Sequence, residues 1–279
     1  MRVKKMSELE GVLSRIGFHA VYERSIEEAV DFASENGFAS VQIETAMPRF
    51  FPEKYSSEIR AKIRRYADSK NIVLKIHAPG EDFSLQTLHT SIQRAVIERL
   101  KEIIDFAGDL NAKLVTIHPG VVPVFTIPGE GDIPITVQYP QLHLQCLKAA
   151  FEELSDYSKG KTLLCVENSP CTEIVMEALS ELLKDNRIFL TWDLAKLYRK
   201  DGTIHEEVEE FFLKYLDKVK ECHLHDRNEK GGHAIIGQGF VNFKRYLRTL
   251  SEKDVEYTIE VRPKDNALKS LEVLRRIKI

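Results

Sequence analysis

An α/β fold is expected, a single closed barrel of eight parallel strands inside a layer of outer helices. Two observations predict it. Short β-branched runs alternate with longer amphipathic segments, the pattern of strand-helix units and a parallel sheet. The runs number eight, and a chain of 279 residues with 43% hydrophobic content has the size of one such barrel.

In order, the expected strands are RIGFHAVY, SVQIET, VLKIHAP, KLVTIHPG, LLCVENS, IFLTWDLA, VKECHLHD and YTIEVRP. A segment with apolar residues three and four apart follows each, the spacing of one helix face. The first is SIEEAVDFASENG, where Ser25 and Glu28 form a capping-box pattern and Gly37 ends the helix. SSEIRAKIRRYADSKN, SIQRAVIERLKEIIDFAGDLN, LHLQCLKAAFEELSDYSKG and EIVMEALSELLKDN follow, then EEVEEFFLKYLDK, FKRYLRTLSEK and NALKSLEVLRRIKI. The barrel domain is expected over 16–279. Residues 1–15 form an N-terminal extension with two readings, a short helix over the bottom of the barrel or a partly ordered tail.

Two connections are long and rich in Pro or Gly: GEDFSLQTLHT after the third run and PGVVPVFTIPGEGDIPITVQYPQ after the fourth. Loops that follow strands lie on the C-terminal face, where binding sites of such barrels are built, so the second is a candidate lid or substrate wall. Lys+Arg 40 against Asp+Glu 43 leaves a net charge of −3, with no bulk attraction to nucleic acid or an anionic membrane. Cys146, Cys165, Cys171 and Cys222 show no C-x-x-C spacing and read as free, buried thiols suited to a reducing compartment. The N-terminus lacks the apolar stretch of a secretory signal and no run is long enough to span a bilayer, so a cytoplasmic location is expected.

Six of the runs end on residue types that hold metals: His77, His118, Glu167, Asp193, His223 and Glu260. Alone, each is an ordinary turn or hydrogen-bonding residue. A closed barrel brings all strand ends to one rim, and six such groups there are costly unless cations hold them. Three imidazoles with three carboxylates suit Zn, Mn, Co or Fe better than Mg or Ca, as one ion or two.

The motifs HAPG, IHPG, VEN, TWDLAK, HLHD, GGHAIIGQGFVNF and IEVRP run in this order over nearly the whole chain. The series resembles the xylose isomerase-like TIM barrel superfamily, which holds sugar isomerases and epimerases together with endonuclease IV. The resemblance implies a (β/α)8 TIM barrel in which Glu167, Asp193, His223 and Glu260 form a metal quartet, with Glu167 and Glu260 also the catalytic acid/base pair. His77 and His118 match the pair that, with Glu167, would hold a second ion in endonuclease IV, and they also occur in isomerase-like relatives, so the resemblance leaves one ion or two open. His233 matches a ligand of that enzyme's third zinc. Lys196, however, stands where the family usually has His, and Gly231 where the endonuclease has Asp, so a trinuclear site is not expected.

Lys196 has two readings, a solvated lysine at a helix start or a catalytic cation near the substrate that binds phosphate or carboxylate or stabilises an enolate. Arg262 is expected on the same side of its strand as Glu260, toward an anionic group. Glu44 is expected to contact a sugar hydroxyl, and His233 to face the substrate. His225 and Asp226 are expected behind the ligands, with Asp226 orienting His223 or a loop amide. His19 reads as a packed, hydrogen-bonded residue, Trp192 and Phe18 as core, and His89, His143 and His205 as surface residues.

Three functions are weighed. The first is a metal-dependent isomerase or epimerase of a small sugar, sugar phosphate or polyol, moving a proton beside a metal-polarised oxygen. The alternative is an endonuclease IV-like phosphodiesterase of AP endonuclease family 2, which would take DNA as its partner and use His77 and His118. Against it, the basic clusters KIRRY and LYRK lie on or after expected helices, where charge is usually solvated. The third is a non-catalytic metal-binding barrel, disfavoured because unused carboxylates around a cavity are destabilising without metal. A small-molecule substrate is the expected partner, and a membrane is not.

Overall fold

The computed structural model describes residues 8–80, 83–122 and 124–277. All eight expected runs form barrel strands: β1 (Ile16–Ala20), β2 (Ser40–Glu44), β3 (Val73–His77), β4 (Leu114–Ile117), β5 (Leu163–Glu167), β6 (Phe189–Asp193), β7 (Val219–Leu224) and β8 (Glu256–Ile259). They pair in parallel in chain order, and β8 closes the barrel on β1. Helices α1 (Glu8–Leu13), α2 (Ile26–Asn36), α3 (Ser57–Ser69), α4 (Thr90–Asp109) and α5 (Pro140–Ser158) come first. α6 (Glu173–Lys184), α7 (Glu206–Lys214), α8 (Phe243–Leu250) and α9 (Lys264–Leu274) complete the outer layer. The chain is a (β/α)8 TIM barrel.

Local chemistry sets the helix ends. Ser25 Oγ accepts from Glu28 N at 3.2 Å and caps α2, while Gly37 ends it in the left-handed region at φ 76°. The return half of the capping box is shifted by one residue, since the Glu28 carboxylate accepts from Arg24 N at 2.9 Å. Of the N-terminal extension, 8–13 form α1. Its Val12 is buried, and Arg15 donates to Ser251 O at 3.1 Å near the start of β8. Met1 to Ser7 lie outside the described residues.

Strand alternation divides apolar from polar. Val41, Ile43, Leu74, Ile76, Val115 and Ile117 are buried in the core between strands and helices. The alternate positions turn into the lumen and are polar. Lys75 on β3 spans the lumen to β7, diametrically opposite in strand order, and donates to Glu221 Oε1 at 2.9 Å. It also donates to Thr258 Oγ1 at 2.6 Å and Tyr257 O at 3.1 Å. Thr116 and Thr191 share a hydrogen bond of 2.8 Å in the same layer.

Four features depart from expectation. The segment after β4 is not an irregular loop but carries an antiparallel hairpin, Val124–Ile127 with Gly131–Pro134, whose first strand is exposed. A second hairpin, Asp226–Asn228 with Gly231–Ala234, follows β7. His143 is not a surface residue: it is 2% exposed, because it shares the inner face of α5 with Leu147, Phe151 and Leu154 at helical spacing. Burial lowers its pKa, so it is a neutral core imidazole. His89 is exposed and His205 half-exposed, as expected, and Trp192 and Phe18 are core. The four cysteines are free, but only Cys165 and Cys222 are buried; Cys146 and Cys171 are half-buried. Among the described residues, no helix is long and apolar enough to cross a membrane.

Removing one member of the buried pair leaves its partner charged in the lumen. Lys75→Met should lower unfolding stability by about 3–5 kcal/mol, measured by denaturant titration, and Lys75→Met/Glu221→Gln should recover part of the loss. A single variant as stable as wild type would show that the pair does not hold the barrel.

Candidate metal centre

Every barrel strand brings one polar side chain to the rim, two residues beyond its lumen position. β3, β5, β6 and β7 supply His77, Glu167, Asp193 and His223, while His118 and Glu260 directly follow β4 and β8. The two strands that gave no ligand from sequence also contribute, through His19 on β1 and Glu44 on β2.

Glu167 is the hub. Its Oε2 lies 3.0 Å from His118 Nε2, 3.2 Å from His223 Nδ1 and 3.5 Å from His77 Nε2. Glu260 Oε1 lies 3.4 Å from His223 Nδ1 and 3.5 Å from His19 Nδ1. Asp193 is fully buried; its Oδ1 accepts from the backbone N–H of Ala195 at 2.9 Å and of Lys196 at 3.1 Å. Its Oδ2 lies 3.0 Å from His225 Nε2. His225 Nδ1 accepts from His233 N at 2.8 Å, which places a proton on Nε2 for Asp193. The His233 ring stacks on His225 at 4.2 Å, and its Nδ1 donates to Glu260 O at 2.9 Å.

The sequence reading of Asp226 behind His223 needs correction. Its carboxylate accepts from the backbone N–H of Gly237 and Gly239, both at 2.9 Å, and of Val241 at 3.1 Å. It therefore takes the other expected role, organising loop amides after the second hairpin. Gly239 is required there, since a Cβ would sit 2.0 Å from Arg227 O. Gly80 of HAPG is required for a related reason, as a Cβ would sit 2.3 Å from His118 Nδ1.

A cavity of about 300 Å3 opens above this cluster, lined by Glu44, His77, His118, Glu167, Lys196, His233, Glu260 and Arg262. Lys196 reaches it from the short 3-10 turn Ala195–Leu197 and also lines a neighbouring cavity with Val121 from the segment after β4. His223, Asp193, His225 and Asp226 lie beneath the lining, fully buried. Glu44 faces inward, but its partners are protein groups: Oε2 lies 3.1 Å from His77 Nδ1 and 3.4 Å from His19 Nε2, and Oε1 accepts from Ala46 N at 2.9 Å.

The protonation pattern follows from burial and these contacts. Burial opposes charge on His223, but Glu260 and Glu167 outweigh it and raise its pKa to about 9. His77 is likewise raised well above its ordinary value, against burial, mainly by Glu44 and Glu167. Burial would raise Glu167 and Glu260, yet the neighbouring imidazoles hold both carboxyls below the usual range, Glu167 well below. His19 goes the other way, with burial holding it down to about 4.

The residues present fit a divalent cation. Ligand atoms about 2.0–2.2 Å from an ion such as zinc stand roughly 3.0–3.4 Å apart at angles between 90° and tetrahedral. The separations of His223 Nδ1 from Glu167 and Glu260, 3.2 and 3.4 Å, match. His223 Nδ1 is buried without a hydrogen-bond partner, and Asp193, His223 and Glu260 each offer an atom within 4.8 Å of the others. His77, Glu167 and His223 form a second such group.

In the metal-free protein the stability from His223 is complete below its unfolded pKa of about 6.5 and is lost as pH rises through about 9. The melting temperature of the chelator-treated chain should therefore fall between about pH 6.5 and 9. A flat thermal-melt profile across that window would contradict the ion-paired imidazolium.

A family model described as xylose isomerase-like TIM barrel matches residues 30–277. The uncharacterised protein MJ1188 of Methanocaldococcus jannaschii is 22% identical over 275 residues, covering 96% of this chain and 95% of that protein. Among solved structures, a D-tagatose 3-epimerase-like protein superposes with TM-score 0.72 at 21% identity, over 94% of this chain and 96% of its own. The D-psicose 3-epimerase of Clostridium cellulolyticum H10 gives 0.70 at 11% identity, over 94% and 99%. Since the family model spans the barrel from α2 through α9, the chain belongs to the xylose isomerase-like TIM barrel family.

Proposed function

We propose that the protein is a metal-dependent isomerase or epimerase acting on a small sugar, sugar phosphate or polyol. The observation that carries this reading is the meeting of two carboxylates, Glu167 and Glu260, on the single imidazole of His223 at the base of a cavity of about 300 Å3. The cavity is at the small end of ligand-site volumes. Solved neighbours named as sugar 3-epimerases share the fold and support the class.

Glu167, Asp193, His223 and Glu260 would hold a divalent cation, which when bound would supply polarisation of a carbonyl or hydroxyl oxygen of the substrate. The protein's part is proton transfer. Glu167 and Glu260 come from β5 and β8, with two strands between them, so they approach the cavity from different sides of the rim. Both are held ionised by their imidazole neighbours, which suits either to take the proton beside the polarised oxygen; the other returns one after drawing it from the His77 imidazolium, whose Nε2 lies 3.5 Å from Glu167 Oε2 and 3.9 Å from Glu260 Oε1. Lys196 on the cavity wall offsets negative charge growing on the substrate.

A second reading has its own observation. His118 and His77 both approach Glu167 Oε2, the arrangement needed for a second ion and metal-assisted phosphodiester cleavage.

A panel of ketoses and their phosphates in deuterated water, with Mn, Co or Zn added, tests the first reading. Wild type should incorporate deuterium at the carbon beside the carbonyl, and Glu167→Gln and Glu260→Gln should each lose about 1,000-fold or more of that exchange, the scale of general acid/base catalysis. Abasic-site DNA cleavage without exchange on any ketose would overturn it. Metal analysis gives an independent check: one ion per chain, unchanged in His118→Ala, is expected, whereas two falling to one would favour the phosphodiesterase.

A further inference from the structure

Four side chains at the edge of the cavity join end to end. Arg262 Nη2 lies 2.9 Å from His19 Nδ1. His19 Nε2 lies 3.4 Å from Glu44 Oε2, and the same oxygen lies 3.1 Å from His77 Nδ1. They come from the end of β8 and from β1, β2 and β3, four neighbours around the barrel. His19 is 2% exposed and His77 6% exposed.

Donor chemistry fixes the direction. A guanidinium only donates, so His19 Nδ1 accepts and the proton of neutral His19 sits on Nε2, the nitrogen 3.4 Å from Glu44 Oε2. The negative charge of Glu44 Oε2 stands within ion-pair distance of both rings and favours a proton on Nδ1 of His77. The other nitrogen of His77 then faces the cavity, 3.5 Å from Glu167 Oε2. Glu44 cannot easily swing away, since its Oε1 accepts from Ala46 N.

We propose that Arg262, His19 and Glu44 are positioning residues, a chain of one hydrogen bond and two close polar contacts that holds the His77 imidazole with Nδ1 turned back toward Glu44 and Nε2 presented to the site. A carboxylate behind the far nitrogen is how proteins commonly fix an imidazole's orientation. The chain extends that device by two more residues, each holding the one in front. It reassigns Glu44 and Arg262 from contacting substrate to holding His77, and it stands whichever reaction the site performs.

Ring-15N-labelled histidine NMR on the metal-free full-length chain near pH 7 tests it. Wild type should show His19 as the neutral form protonated on Nε2 and bare on Nδ1, and His77 with a slowly exchanging proton on Nδ1. His19→Gln should keep the His77 proton protected, because the amide can donate to Glu44 and accept from Arg262. His19→Phe, similar in shape but without either group, should lose that protection, and Glu44→Leu should lose the signal. If Gln and Phe at position 19 behave alike, His19 only fills space and the proposal fails. Should the Phe variant not fold, the wild-type spectrum still decides: a His19 protonated on Nδ1, or a His77 whose Nδ1 proton exchanges freely, overturns it.

Discussion

The Lys75–Glu221 pair crosses the lumen and fixes the register of two opposed strands. Both groups are fully buried and belong to strands on opposite sides of the barrel, 146 residues apart in the chain. A one-residue slip of either strand would turn its charge toward the apolar helix layer and strand the other. The register so enforced also carries the site. Lys75, Glu221 and Thr258 are each followed two residues later by a rim group, His77, His223 and Glu260. Alternation sends both members of each couple inward, so the pair that locks the strands also aims the three groups above it.

That relation explains what the sequence could disclose. Strands buried on both faces were legible as apolar runs, and the six rim residues His77 to Glu260 stood out because each closes such a run. His19 did not, since its run continues through Ala20 and Val21 and no polar ending marks it. Lys75 and Glu221 lie inside runs, and nothing local names a partner so distant; barrel closure alone joins them. Asp226 was placed behind His223 by adjacency, but the next strand pairing after β7 belongs to a hairpin, which turns its carboxylate to the Gly237–Val241 amides. Two further misses had signals. His143 sits on the apolar stripe of α5, where periodicity outranks residue type, and VFTI-PGEG-DIP is a strand-turn-strand pattern obscured by its prolines.

The electrostatics of the rim bear on the cation proposed for it. Without one, the carboxylates of Glu44, Glu167 and Glu260 draw protons onto His77 and His223, raising the imidazoles and lowering the acids together. Those protons do in part what a divalent ion would do, neutralising buried negative charge, but they occupy the nitrogens a ligand needs free. Protons and metal therefore compete for the same atoms. His19 escapes this because its burial disfavours the charged form and the adjacent Arg262 guanidinium adds to that, leaving it neutral within the same group of charges.

Rigid strands and the segments that follow them divide the work. Glu167, Asp193 and His223 project from the ends of paired barrel strands, so the atoms proposed for proton transfer and ion binding have little freedom. The cavity wall is finished by residues beyond the strand ends: Lys196 on a 3-10 turn, His233 on a hairpin and Arg262 after β8. Even these are tied back to the frame. Asp193 accepts from the Lys196 backbone, and His233 reaches Asp193 through His225. A change of substrate along this fold can thus be made by replacing turn residues such as Lys196 while the anchoring backbone contact stays, because the bond to Asp193 uses the amide and leaves the side chain free to vary.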